Sequence, residues 1–144
     1  MINKCFTLVV IALMVTCLAC SSTKVGISRE PIALDVASAH FHKEVPGVED
    51  MEPIWNLEIV LGGHREEIRL DSIYFKGAWK VPKVQNYKGG SKLKVRLEES
   101  ELGTGVKGAV EVKEKEALIY YSIKNKKLYH LVIKIKETET IYLP

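Results

Sequence analysis

The stretch that decides the fold is Lys92-Leu93-Lys94-Val95-Arg96-Leu97-Glu98, in which charged and apolar side chains alternate without a break. Successive side chains of a β-strand leave opposite faces, so this period of two predicts a strand that is apolar on one face and solvated on the other. We therefore expect Leu93, Val95 and Leu97 to point into a core and the charged side chains to face water.

The same period continues toward the N-terminal side. Residues 54–61 alternate cleanly, with Trp55, Leu57, Ile59 and Leu61 on one face. Residues 32–43 predict an earlier strand, and residues 67–76 predict another, in which the apolar face changes between Leu70 and Ile73. Such a change indicates a β-bulge or a strand covered on both sides. In the earlier strand the pattern places Leu34 and Val36 on one face and Ala37, Ala39 and Phe41 on the other.

The remaining strand signals are shorter. Residues 78–84 predict a short edge strand, because Pro82 has no N–H to donate to a central ladder. A β-hairpin is predicted from runs 116–123 and 127–136, which flank the turn Lys124-Asn125-Lys126. Residues 109–113 and 141–143 are weaker strand candidates. Residues 99–108 hold Gly103, Gly105 and Gly108 and predict a loop.

These signals together define the fold class. About seven to eight short strands, with turns every 8 to 12 residues or so and no sustained helical period, predict an all-β chain. The expected architecture is an antiparallel, Ig-like β-sandwich, and a small β-barrel is the alternative.

Residues 1–20 have a different composition from the rest of the chain. Lys4 provides a positive charge, residues 6–18 are almost entirely apolar, and the polar Ser21-Ser22-Thr23 follows Cys20. A charged start, an apolar run and a small-residue cleavage site are typical of an export signal. The apolar run of about 13 residues is shorter than the ~20 that a membrane-spanning helix needs.

The junction Leu18-Ala19-Cys20 resembles the lipobox of bacterial lipoproteins, although Cys17 stands where leucine is usual. The resemblance implies that residues 1–19 are a lipoprotein signal peptide and that Cys20 carries lipid. Residues 20–30 are then a lipidated tether and 31–144 a single β-sandwich domain. Two or three acyl chains hold a protein durably on a membrane. Ser21, in place of aspartate, implies the outer rather than the inner membrane. An ordinary secreted protein cut near Cys20 is the alternative.

Cysteine content and charge exclude several kinds of chemistry. Of the three cysteines, Cys5 and Cys17 lie in the expected signal peptide and Cys20 is the expected lipid site. The folded domain then has neither disulfides, nor a cysteine-ligated zinc, nor a thiol nucleophile. The net charge of +3 is small, and lysines alternate with glutamates in 111–116. No basic motif interleaved with aromatics is present, so we expect no nucleic-acid partner.

A second resemblance involves the run Leu70-Asp71-Ser72-Ile73-Tyr74-Phe75-Lys76-Gly77. It is similar to a strand shared by a group of small bacterial lipoproteins to which no activity is assigned. The likeness extends to 41–48, to 116–121 and to Tyr142-Leu143-Pro144. It implies export and a β fold, and it transfers no functional residues.

His40 and His42 are the candidate metal ligands. Two residues apart on a strand, their imidazoles leave the same face and can share Zn²⁺ or Cu²⁺. His64, His130, or an acid among Glu49, Asp50 and Glu52 would complete the site. The alternative is that both histidines lie on the solvated face of an edge strand. Asp71, which lies within an apolar strand, either orients a ligand or bonds to nearby backbone at a strand irregularity.

A candidate binding surface consists of Trp79 with Lys76 and Lys80. A tryptophan beside a glycine, between two lysines and in an expected edge strand, marks an interface if its ring is exposed. Sequence signals for catalysis are weak, since a Gly-x-Ser-x-Gly motif and a distinctive pair of acids are both missing from the sequence.

We therefore expect a non-enzymatic, lipid-anchored cell-envelope protein with a structural or protein-interaction role and without a cofactor. Its partners would be the membrane, through the lipid on Cys20, and another envelope protein. A ligand-binding module for glycan or metal is the alternative.

Overall fold

The computed structural model describes residues 34–63, 67–108 and 110–144, and these form two β-sheets packed face to face. Residues Pro31–Pro144 make one compact unit. The strands of the larger sheet are β1 (Val36–Val45), β2 (Ile54–Gly62), β5 (Lys83–Tyr87), β6 (Gly90–Glu98), β9 (Lys136–Glu137) and β10 (Ile141–Tyr142). Those of the smaller sheet are β3 (Arg69–Phe75), β4 (Ala78–Lys80), β7 (Ala117–Ile123) and β8 (Lys126–Val132). The larger sheet has the strand order β10-β1-β2-β6-β5, with β9 also paired to β1, and the smaller sheet has the order β4-β3-β7-β8.

The prediction of an all-β sandwich is confirmed, and the two sheets stay separate instead of closing into the alternative barrel. The alternating runs lie at the centre of the larger sheet, where β2 and β6 pair antiparallel. Their apolar side chains meet those of the smaller sheet in one core. That core includes Leu57, Ile59, Leu61, Leu93, Val95 and Leu97 from the larger sheet and Ile73, Phe75, Ile119 and Tyr121 from the smaller sheet.

Two β-bulges, one in β3 and one in β1, interrupt the alternation of side chains between the two faces of their sheets. In β3 the pairing with β7 shifts between Leu70 and Ser72, so that residues on both sides of Asp71 pack against the core. This bulge is one of the two explanations that the sequence allowed. In β1 the pairing with β2 shifts between Val36 and Ser38. The prediction that Val36 and Phe41 face opposite ways was therefore wrong, because the extra residue of a bulge reverses the alternation.

The predicted edge strand 78–84 is two strands in two different sheets. β4 pairs with β3 in the smaller sheet, and β5 pairs with β6 in the larger one. Val81 and Pro82 lie between them and are not in a strand. Proline cannot donate to a ladder, so the pairing with β3 stops there and the chain crosses to the other sheet.

The predicted hairpin of β7 and β8 is confirmed, and its turn has the geometry that favours a hairpin. Lys124 and Asn125 have φ values of 49° and 64°. Positive φ at both central residues is the mark of a type I′ turn, whose twist matches that of the flanking strands. Asparagine is one of the few residues that accept this conformation readily.

The predicted strand at 109–113 is wrong for its described part, residues 110–113. The backbone N–H of Glu116 donates to the carbonyl of Lys113, and the N–H of Lys113 donates to the Glu116 carboxylate. This local turn satisfies both backbone groups of Lys113, which a strand would have paired with a neighbour. The predicted strand at 141–143 exists as β10, which is parallel to β1, as β9 is.

Candidate functional site

His40 and His42 lie side by side on the outer face of the larger sheet, as the sequence predicted. Both belong to β1, and the register between them is regular. Nε2 of His40 lies 3.8 Å from Oε1 of Glu58, and Nε2 of His42 lies 3.2 Å from Oε1 of Glu44. Each imidazole therefore faces a different carboxylate.

The metal site that we predicted at these histidines stays a prediction. Within the described ranges, no three histidine, cysteine, aspartate or glutamate side chains are grouped so that they could hold an ion. Of the proposed third ligands, His130 is on β8 of the other sheet, where it pairs with Ile119. Burial there lowers the pKa of His130 from 6.5. His64 lies outside the described residues.

A cleft of about 510 Å³ lies beside the two histidines and is lined largely by basic side chains. Its acids are Glu44 and Glu58. Nζ of Lys92 lies 3.0 Å and Nζ of Lys94 lies 3.9 Å from the carboxylate oxygens of Glu58. Arg96 and Lys83 also line it. This face has more basic than acidic side chains, so Glu58 neutralises only part of its positive charge.

Trp79 lies on the outer face of the smaller sheet, in a row of aromatic rings. Its ring centroid is 4.8 Å from that of Tyr74 and 5.2 Å from that of Tyr120, and Tyr120 is 6.1 Å from Tyr129. The indole N–H donates to the carbonyl of Val106 at 3.1 Å. Trp79 is therefore half-buried and held in one orientation by the loop that follows β6.

Lys76 points away from Trp79, toward the core. Its ammonium lies 4.2 Å from the ring centroid of Trp55 and 4.7 Å from that of Phe41, and its side chain is only 10% exposed. Phe75 is a third ring at 5.6 Å. An ammonium over aromatic faces is attracted by their negative quadrupoles. Lys76 therefore belongs to the packing between the sheets.

Lys80 forms an ion pair with Glu101 in the loop after β6. The pKa of Glu101 is lowered chiefly by the hydrogen bond from Lys80 and then by the one from the backbone N–H of Glu98. Lys80 also lines the cleft on the larger sheet. The structure thus separates Trp79, Lys76 and Lys80, which do not share one surface.

Sequence reasoning missed a cleft that lies next to Trp79 on the smaller sheet. It measures about 610 Å³. It brings together residues of β3, β4 and β7 with the turn between β7 and β8. Asp71 was recognised as unusual from the sequence. Tyr120, Asn125 and Lys127 were not associated with it, because β7 and β8 are distant from β3 in the chain. Its lining residues are Arg69, Asp71, Ser72, Trp79, Tyr120, Ser122, Asn125 and Lys127.

Fold and surface define a two-sheet β-sandwich protein with a cleft on the outer face of each sheet. The chain matches none of the protein-family models, curated proteins or solved structures with which it was compared. In the described part of the chain we find no helix with the length and apolar character needed to cross a membrane. Cys20, the predicted lipid site, lies outside the described residues.

Proposed function

We propose that the protein is a non-enzymatic, lipid-anchored component of the cell envelope that acts by contacting another envelope protein. The order of charged, apolar and small residues in 1–20 supports the anchor at Cys20 and, with Ser21 next to it, the outer membrane. The sandwich that follows supports an interaction role, because it leaves an exposed strand at the edge of the larger sheet. The partner is an envelope protein with an extended segment that pairs with this edge.

The open edge is β5, and it is the observation that carries the proposal. β5 ends the larger sheet, and all five of its residues are exposed. Val84 is 46% and Tyr87 47% exposed. A strand at a sheet edge presents unpaired N–H and C=O groups, which many proteins protect with charges, proline or bulges. From Val84 to Tyr87 the strand has neither charge nor proline.

The other edges are less open. β4 has three residues and β10 has two. β8 has seven, but it begins with two lysines, Lys126 and Lys127, whereas β5 begins with the single Lys83. Short strands and lysines both discourage pairing with another chain. A strand added to β5 would extend the larger sheet and cover Val84, which pairs with the core residue Leu93. Such strand addition is a common mode of peptide recognition.

Two carboxyl groups have pKa values shifted away from what a general acid needs. The pKa of Glu52 is lowered by hydrogen bonds from Ser100, and the pKa of Glu101 by those from Lys80 and Glu98. These shifts keep both carboxyl groups ionised. A general acid needs a shift in the opposite direction, toward the pH at which it works.

A photo-cross-linking amino acid in place of Gln85, at the centre of β5, is expected to capture the same envelope protein in repeated experiments on intact cells. Gln85 is exposed on the open edge, so the probe would lie beside the added strand. The matched control is the same amino acid in place of Lys94, which is exposed on the neighbouring strand β6 but is not at an edge. Cross-linked products are identified by mass spectrometry.

A second variant tests the pairing itself. Val84→Lys places a charge on the edge and is expected to abolish the cross-link from position 85 without changing the circular dichroism spectrum. Equal capture from positions 85 and 94, or no reproducible product from position 85, would contradict the proposal.

A further inference from the structure

The cleft beside Trp79 has an aromatic floor that is fixed in place. The Trp79 indole projects from the edge strand β4 and reaches Tyr120 on β7, which is the second strand away. The residue that pairs with Tyr120 on the intervening β3 is the small Ser72, which also lines the cleft. The hydrogen bond from the indole N–H to the carbonyl of Val106 ties the ring to the loop after β6. The floor is therefore rigid before any ligand arrives.

The rim of the cleft is polar and contains both donors and acceptors. The bulge in β3 directs Asp71 toward the rim, where Oδ1 lies 3.7 Å from Nε of Arg69. Ser72 and Ser122 contribute hydroxyl groups, and the type I′ turn contributes the amide of Asn125. Bulges commonly re-aim a side chain next to a functional site.

One end of the cleft is formed by the turn between β7 and β8, and this end is positively charged. Lys127, an exposed residue of β8, lines the cleft there. Lys127 forms no ion pair with any described residue. Asp71, the acid of the lining, already faces Arg69. The ammonium group of Lys127 can therefore form an ion pair with an anionic group bound in the cleft.

We propose that this cleft binds an acidic oligosaccharide, with a sugar ring against Trp79 and Tyr120 and its carboxylate near Lys127. The C–H groups of a pyranose face are apolar and slightly positive, so they pack well against the negative face of an aromatic ring. Sugar hydroxyls both donate and accept. The serine hydroxyls and the asparagine amide of the rim also do both, and the Asp71 carboxylate accepts. A volume of about 610 Å³ lies within the usual size range of small-ligand sites.

This site is separate from the edge strand β5, and its function does not depend on a protein partner there. Trp79 and Tyr120 are in the smaller sheet, whereas β5 ends the larger one. A saccharide site would give the protein a second contact within the envelope. The two proposals can therefore fail independently.

The test is a titration of the detergent-solubilised full-length chain, followed by tryptophan fluorescence. The probes are an α-1,4-linked trimer of galacturonic acid and the matching neutral trimer of galactose. We expect a saturable change with both trimers and a tighter affinity for the acidic one. Lys127→Gln should weaken binding of the acidic trimer by about fivefold and leave that of the neutral trimer unchanged.

Two further variants separate this site from general attraction by surface charge. Asn125→Gly removes the amide but keeps the positive φ that the turn needs, so affinity for both trimers should fall while the fold stays intact. Lys94→Gln, on the other sheet, should change nothing. The proposal is overturned if neither trimer gives a saturable change, if Lys94→Gln weakens binding as much as Lys127→Gln does, or if tri-glutamate binds as well as the acidic sugar.

Discussion

Replacing Phe41 with alanine is expected to lower the free energy of unfolding by about 3–5 kcal/mol. Phe41 is 1% exposed and lies where the two sheets meet. Its ring centroid is 5.3 Å from that of Phe75 and 5.9 Å from that of Trp55, and the Lys76 ammonium lies above it. The variant would lose this packing and leave Lys76 buried with fewer partners.

The measurement is urea denaturation followed by circular dichroism. Phe41→Leu keeps most of the apolar volume and should lose clearly less stability than Phe41→Ala. Val84→Ala, on the exposed strand β5, should change the free energy of unfolding by no more than about 0.5 kcal/mol. A loss below about 1 kcal/mol for Phe41→Ala would mean that the sheets do not pack around this ring.

The second large effect is expected at Gly77, in the turn between β3 and β4. Gly77 has φ of 77°, which strains any other residue, and a Cβ added there would lie 2.6 Å from Cα of Gly103. Backbone strain of this kind costs about 1–3 kcal/mol. The clash adds to this cost, because hydrogen bonds hold the loop against the turn. The N–H of Gly103 donates to the carbonyl of Lys76, and the N–H of Gly105 donates to the carbonyl of Gly77.

Gly77→Ala should therefore both destabilise the protein and move the loop that holds Trp79. We expect a lower urea midpoint and a change in tryptophan emission, since the Val106 carbonyl that binds the indole N–H belongs to this loop. The matched control is Gly108→Ala in the same loop. An added Cβ there would make only an ordinary contact, 3.8 Å from the Tyr120 hydroxyl. Equal stability of the two variants would show that the loop is not docked on Gly77.

The strands with one buried and one solvated face could be predicted from the sequence because burial imposes a period of two. Leu93, Val95 and Leu97 show this in β6, and the change of face in 67–76 correctly indicated the bulge before Ser72. The turn at Lys124-Asn125 was predictable because asparagine accepts positive φ readily. In each case the signal lies within a few residues of the feature.

The features that could not be predicted depend on contacts between distant parts of the chain. Pro82 indicated an edge, but nothing local showed that the chain changes sheets there. Lys76 was expected at a surface, whereas rings from β1, β2 and β3 surround its ammonium. The cleft beside Trp79 likewise forms only when β3, β4 and β7 come together.

The most direct test of the proposed function is metabolic labelling of bacterial cells that express the protein with a clickable fatty acid. We predict that the wild-type chain is labelled and that Cys20→Ser is not. Cys17→Leu, which restores the residue usual at that position of a lipobox, should keep the label. Absence of label from the wild type, or equal labelling of Cys20→Ser, would contradict a lipid-anchored protein.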